Sequence, residues 1–139
     1  MDDIQLKLCD IQGRLFELSY DAGLDSAVFI QTFMRSKLAA DLDRSYNRMQ
    51  WAGEEYLLEE LRDISRDELK CGGELYPKEV LYWIGYLYRY WHYLTGESSR
   101  VIYRQASAAV MRRNYPMFHT LDSELAVEDF RELYRQKSQ

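Results

Sequence analysis

Apolar residues along the chain recur at spacings of three and four, with no run of strict alternation and no Asn-Gly hairpin signal, so the pattern predicts helix nearly throughout. A first helix is expected over about 4–20, with Leu8, Ile11, Leu15 and Leu18 on one stripe. Gly23 follows its end, where a left-handed residue is often needed. Asp25 is placed to cap the next helix, whose apolar face is Val28, Phe29, Phe33 and Leu38. Over 36–64 the stripe fits one long bent helix or two shorter ones, with Ser45 and Asn47 offering a break. Gly53 in this stretch interrupts a helical pattern at a cost of about 1 kcal/mol against Ala, so a close neighbour is expected there.

Cys71-Gly72-Gly73 marks a loop, and Pro77 is expected as the first residue of the helix after it. That helix, over about 77–95, contains VLYWIGYLYRYWHYLTG and ends at Gly96. Ser98 or Ser99 caps a short helix to about 105. Ser107 caps another, expected to stop before Pro116, and Asp122 caps the last. The expected fold class is therefore all-α: one domain over 1–139, an irregular bundle of six to eight helices around the aromatic-rich helix.

At 100° per residue, Val80, Ile84, Leu87, Trp91 and Leu94 share one side of that central helix. Tyr82, Gly85, Tyr86, Arg89 and Tyr93 lie opposite, with His92 nearby. The second face is either sealed by neighbouring helices or a pocket lined by Tyr82, Tyr86, Arg89 and Tyr93. The sealed reading is preferred. Gly85 would admit close approach of a ligand or of a neighbouring helix. A membrane span needs about 20 mainly apolar residues, and Arg89 and His92 interrupt this one.

With 139 residues the chain is long enough to bury a core without a disulfide or metal. Cys9 and Cys71 read as reduced thiols. The acidic start, MDDIQLKLCD, lacks the apolar run of a signal peptide, and a cytoplasmic setting is expected. Charge is uneven: residues 77–119 carry six basic against two acidic residues in a chain of net charge −5.

Chemistry-bearing motifs are sparse. No Walker loop, GxSxG, HExxH or Cys/His zinc spacing is present, and no cofactor is expected. The carboxylates Glu54, Glu55, Glu59, Glu60 and Asp63 lack an accompanying Glu-x-x-His, so they predict surface ion pairs and no metal site. Arg113-Asn114 followed by His119 matches the loose Arg–polar–His pattern of HEPN ribonucleases, in which the arginine would stabilise phosphorane-like charge and the histidine move a proton. Pro116 falls inside that motif and is expected to break its helix face. Read as short helices joined by turns, 94–114 could instead present Arg100, Arg104, Arg112 and Arg113 to DNA phosphates. The acidic remainder opposes that and ranks nucleic acid below protein as a partner.

Three segments carry a wider resemblance: QWAGEEYLLEE from Gln50, YWIGYLYRYWHYLTGESSRVIYRQA from Tyr82, and RNYPMFHTLDSELAVEDF from Arg113. Together they resemble a family of small all-helical bacterial proteins from toxin–antitoxin-like gene clusters that include an ADP-ribosyltransferase-like toxin. The resemblance implies a setting and a protein partner; it implies no catalytic residue. The expected function is a non-enzymatic, cytoplasmic protein-binding module, an antitoxin or accessory component. The alternatives are a HEPN-like ribonuclease using Arg113 and His119, and a DNA-binding regulator acting through 100–113. Candidate partner or ligand residues are Tyr82, Tyr86, Arg89, His92, Tyr93, Arg100, Arg104 and Arg112. Nothing in the pattern sets an oligomeric state.

Overall fold

The computed structural model describes residues 1–45 and 47–138. It is all-helical: α1 (Asp3–Asp21), α2 (Ser26–Met34), α3 (Lys37–Asp43), α4 (Glu54–Ser65), α5 (Lys78–Thr95), α6 (Ser99–Gln105), α7 (Ala108–Phe118) and α8 (Ser123–Lys137), with a short 3-10 turn at Arg48–Trp51. The described residues contain no strand beyond one isolated bridge between Leu24 and Cys71. None of these helices is long and apolar enough to cross a membrane.

Local chemistry explains most boundaries. Asp2 and Gln5 form a reciprocal capping box at the start of α1. Asp25, Ser36, Ser98 and Ser107 each accept a backbone N–H of the helix that follows. Asp122 occupies the cap position of α8 without a side-chain cap bond. Gly96 closes α5 at φ 78°, a left-handed conformation that costs glycine nothing. The long stretch left open by the pattern is two helices: α3 ends at Asp43, and Asn47 caps the 3-10 turn before α4.

Three expectations need correction. Gly53 is not an interior packing glycine; it is the N-cap of α4, and a Cβ there would meet nothing nearer than a Glu55 carboxylate oxygen at 3.8 Å. Pro77 is the N-cap of α5 and not its first residue. Pro116 lies inside α7 and does not end it. Its missing N–H forfeits the bond to the Arg112 carbonyl, yet the helix runs on for two residues.

The core surrounds α5. Val80, Leu81, Ile84, Leu87, Tyr88 and Trp91 are buried along it. On one side Phe16 meets Phe29 and Phe33 edge-to-face, with centroids 5.2 and 5.4 Å apart. On the other, Phe130 of α8 stacks on Trp91 at 6.3 Å and meets Phe118 edge-to-face at 4.9 Å. Fully burying each such ring contributes about 1.5–3 kcal/mol, and the edge-to-face geometry about 0.5–1.5 kcal/mol more. The most extensive helix pair is α1 with α5. Two glycines permit their closeness. A Cβ on Gly85 would fall 2.6 Å from the Gln12 carbonyl oxygen, and one on Gly13 would fall 2.7 Å from the Tyr82 ring.

Candidate functional site

The close approach of α1 to α5 decides what becomes of the tyrosine–arginine face. Arg89 is 1% exposed. Its Nε donates to Gln12 Oε1 at 2.8 Å, one Nη to Asp43 Oδ1 at 2.7 Å, and the other to Ser99 Oγ at 3.3 Å. Gln12 in turn donates to the Gly85 carbonyl at 2.9 Å, across the glycine that lets the helices meet. Asp43 also accepts from the Ser99 N–H at 2.8 Å and the Ser99 hydroxyl at 2.7 Å. One guanidinium therefore ties α1, α3 and α6 to α5. Breaking a buried pair by deleting one partner typically costs about 3–5 kcal/mol, because the other charge is left uncompensated. The void beside Arg89, walled by Leu8, Gln12, Leu57 and Tyr93, holds about 10 Å³, room for one water at most. That void is too small for any ligand larger than water.

The other members of the face share its closure in part. Tyr82 donates to Asp10 at 2.5 Å. Burial acts to raise the Asp10 carboxyl, but the bonds from Tyr82 and Arg14 and the charge of Arg14 outweigh it, leaving it below its ordinary value. Burial first, then the bond to Asp10, push the Tyr82 hydroxyl well up. Cys9 is buried beneath the same face, and its thiol is pushed up to about 12 by burial, partly offset by the Arg89 charge. Tyr86 is half-buried and stacks on Tyr90. His92 and Tyr93 are half-buried and lie ring edge to ring. His92 Nδ1 is 2.7 Å from the Glu97 carbonyl oxygen and 3.7 Å from Asp43.

His92, Tyr93 and Asp43 form the outer edge of the network, and this edge is open. A cleft of about 360 Å³ passes from them to Ile4, Leu8 and Trp51. Trp51 is 81% exposed and Ile4 61%. Asp2 also lines the cleft, so its apolar walls carry acidic groups.

The basic residues separate. Arg112 pairs with Glu74 and lies over the Tyr76 ring at 4.4 Å. Arg100, Arg104 and Arg113 collect elsewhere, lining two clefts that share Arg104 and Ser107. Sequence reasoning missed Arg35 and Lys137, which join them there from α2's C-cap and α8. It also missed Gln12 and Asp43 as partners of Arg89. Gly13 was the available clue to the first of these, being a glycine inside a clear helical stripe.

Arg113 lines the larger of these clefts, and His119 does not. Six positions on a helix separate them by about 9 Å of rise and roughly 240° of rotation. His119 stacks on Tyr115 at 4.3 Å, with Nδ1 2.7 Å from the Tyr115 carbonyl oxygen. Among the described residues, no group of three His, Cys, Asp or Glu side chains converges as a metal site would require.

Compared with known protein families, curated proteins and solved structures, the chain matches none.

Proposed function

We propose that this chain is a non-enzymatic protein-binding module, an antitoxin or accessory component of a bacterial toxin–antitoxin-like system. The observation that carries the proposal is Trp51, a tryptophan left 81% exposed at the mouth of the cleft formed with Ile4, Leu8 and Tyr93. An indole in water forgoes the burial that drives folding, whereas in an interface it is among the strongest anchors. Tyr56, 55% exposed near the start of α4, extends the same character. Asp2 brings a carboxylate to the cleft, Asp43 lines it but is held by Arg89 and Ser99, and Glu54 and Glu55 begin α4 close behind Trp51. The fitting partner is a protein surface that offers an apolar side chain beside basic ones; such charge complementarity speeds encounter and fixes register. The toxin–antitoxin setting comes from the family resemblance.

The test is co-expression with the product of the neighbouring gene in a bacterial host. The two proteins should co-purify, and if that product arrests growth, this chain should relieve the arrest. Trp51→Ala should weaken both effects at least tenfold, with the fold intact by circular dichroism. Co-purification indifferent to Trp51→Ala and Ile4→Asp would remove this cleft from the proposal. Growth arrest by this chain alone, relieved by Arg113→Ala or His119→Ala, would replace it with the ribonuclease reading.

A further inference from the structure

The five cations gathered by α2, α6, α7 and α8 have no counterpart in the protein-binding cleft. One cleft, of about 760 Å³, is lined by Arg104, Arg113 and Lys137, with Asn114 and Tyr134 on its walls. The adjoining one, of about 350 Å³, is lined by Arg35, Arg100 and Arg104. Among the described residues no Asp or Glu lines either cleft, and none of these five cations has a carboxylate within ion-pair distance. The chain has more acids than bases, 23 against 18, so leaving five cations together unpaired is a local exception to its overall charge. Elsewhere Arg14, Arg66, Arg89, Arg112, Arg131 and Arg135 meet carboxylates, and Arg62 shares its cleft with Glu59 and Asp63.

Other groups point the same way. Ser107, the N-cap of α7, stands in the wall shared by both clefts. The first turn of that helix adds partial positive charge and N–H groups without intrahelical partners. Arg35 is held near Tyr103 at 5.6 Å, and Arg100 donates to the Arg35 carbonyl at 2.6 Å. These contacts order both side chains while leaving their charges uncompensated. Tyr134 offers an aromatic face; the amide nitrogens of Asn114, Gln105 and Gln136 donate to Val110, Glu97 and Glu132, so these side chains shape the wall and offer their carbonyl oxygens as acceptors.

We infer that these two clefts form one groove that binds the phosphodiester backbone of a single-stranded nucleic acid, with Arg104 at the junction between successive phosphates. A lone phosphate cannot engage cations spread over two clefts. A strand can, and positive grooves with stacking aromatics are how unpaired strands are held. A duplex is stiff, with a persistence length of about 50 nm, and would rest on the rims without following the groove. Arg112 takes no part, since Glu74 and Tyr76 hold it elsewhere.

The experiment is fluorescence anisotropy of a labelled oligouridylate of about ten nucleotides with the whole chain. Binding is expected at low salt, weakening by about 0.7 in log affinity per log salt for each phosphate engaged. Arg104→Ala with Arg113→Ala should lower affinity at least tenfold and flatten that slope by about 1.4. The double lysine substitution at the same positions should retain most of the affinity, which separates charge from misfolding. Arg14→Ala with Arg66→Ala removes equal charge from paired surface positions and should change affinity less than twofold. Absence of salt-sensitive binding would overturn the inference, as would an equal loss in the Arg14/Arg66 control. Equally tight binding of a duplex or of polyglutamate would also overturn it. So would competition by uridine monophosphate as effective, per phosphate, as that by the unlabelled strand.

Discussion

Arg89 and Arg104 carry the same guanidinium and meet opposite surroundings. Around Arg89 each of the three guanidinium nitrogens donates a hydrogen bond, to Gln12, Asp43 and Ser99, and the side chain is buried. Arg104 stands in the wall of two clefts with no carboxylate among their linings. The lesson is that an arginine inside an aromatic helix is not a binding residue by virtue of its company. What distinguishes the two is whether the fold has already supplied the partners. The most conspicuous stretch of the chain holds the molecule together through Arg89, and only its outer edge at His92 and Tyr93 reaches a cleft open to other molecules.

The comparison can be broken most forcefully at Arg89. Arg89→Ala should lower unfolding free energy by about 3–5 kcal/mol in urea titration, through the Asp43 charge left buried without its partner. Combined with Asp43→Ala, the loss should be clearly less than additive, because the pair is deleted together. Next in size is Gly85→Ala, whose Cβ would collide with the backbone oxygen of Gln12. It should cost about 1–3 kcal/mol by forcing α1 away from α5. Gly53→Ala, at a helix cap in open space, should cost less, of the order of a cap preference. Arg104→Ala should shift unfolding by no more than about 0.5 kcal/mol, as a surface change with no partner to lose.

The smallest effect concerns pH. Asp10 has its folded value depressed, so its contribution is present above the ordinary carboxylate range and is lost as pH falls through the depressed value. Its carboxylate is partly exposed, and the effect should be a few tenths of a kcal/mol after screening. Tyr82→Phe should remove part of that acid dependence. It should also blunt the opposite limb: a tyrosine whose folded value is raised stabilises below its unfolded value near 10 and loses that contribution as pH climbs towards the folded one. Stability curves of the two proteins between about pH 3 and 11 would show both.

The helices themselves were legible where their signals are local. Caps at Asp25, Ser98 and Ser107 and the stop at Gly96 depend on a side chain and the backbone a few residues away. The break after Asp43 was half legible: Ser45 and Asn47 offered it, but Leu38, Leu42 and Met49 keep a stripe that a continuous helix would also satisfy. Pro116 misled because a proline forfeits one bond, to the Arg112 carbonyl, without leaving helical φ, and the His119 N–H still closes the last turn on the Tyr115 carbonyl. The sealed face was half legible. Gly85 announced a close approach, whether of a ligand or of a helix, but Gln12 and Asp43 lie 77 and 46 residues from Arg89 and leave no local signature. The basic groove was legible only as a charge count. Its assembly needs Arg35 and Lys137 from distant helices and the removal of Arg112 by Glu74, which are facts of tertiary packing.

Hydrogen exchange at the arginine Nε–H groups, followed by ¹⁵N-resolved NMR on the whole chain, addresses the sealed-against-open distinction most directly. The Nε–H of Arg89 donates to Gln12 within a buried network and should persist long after dilution into heavy water. Those of Arg104 and Arg113 should vanish at once. An Arg89 signal lost as fast as theirs would contradict the account, for it would mean that the tyrosine–arginine face opens to solvent and can itself receive a ligand.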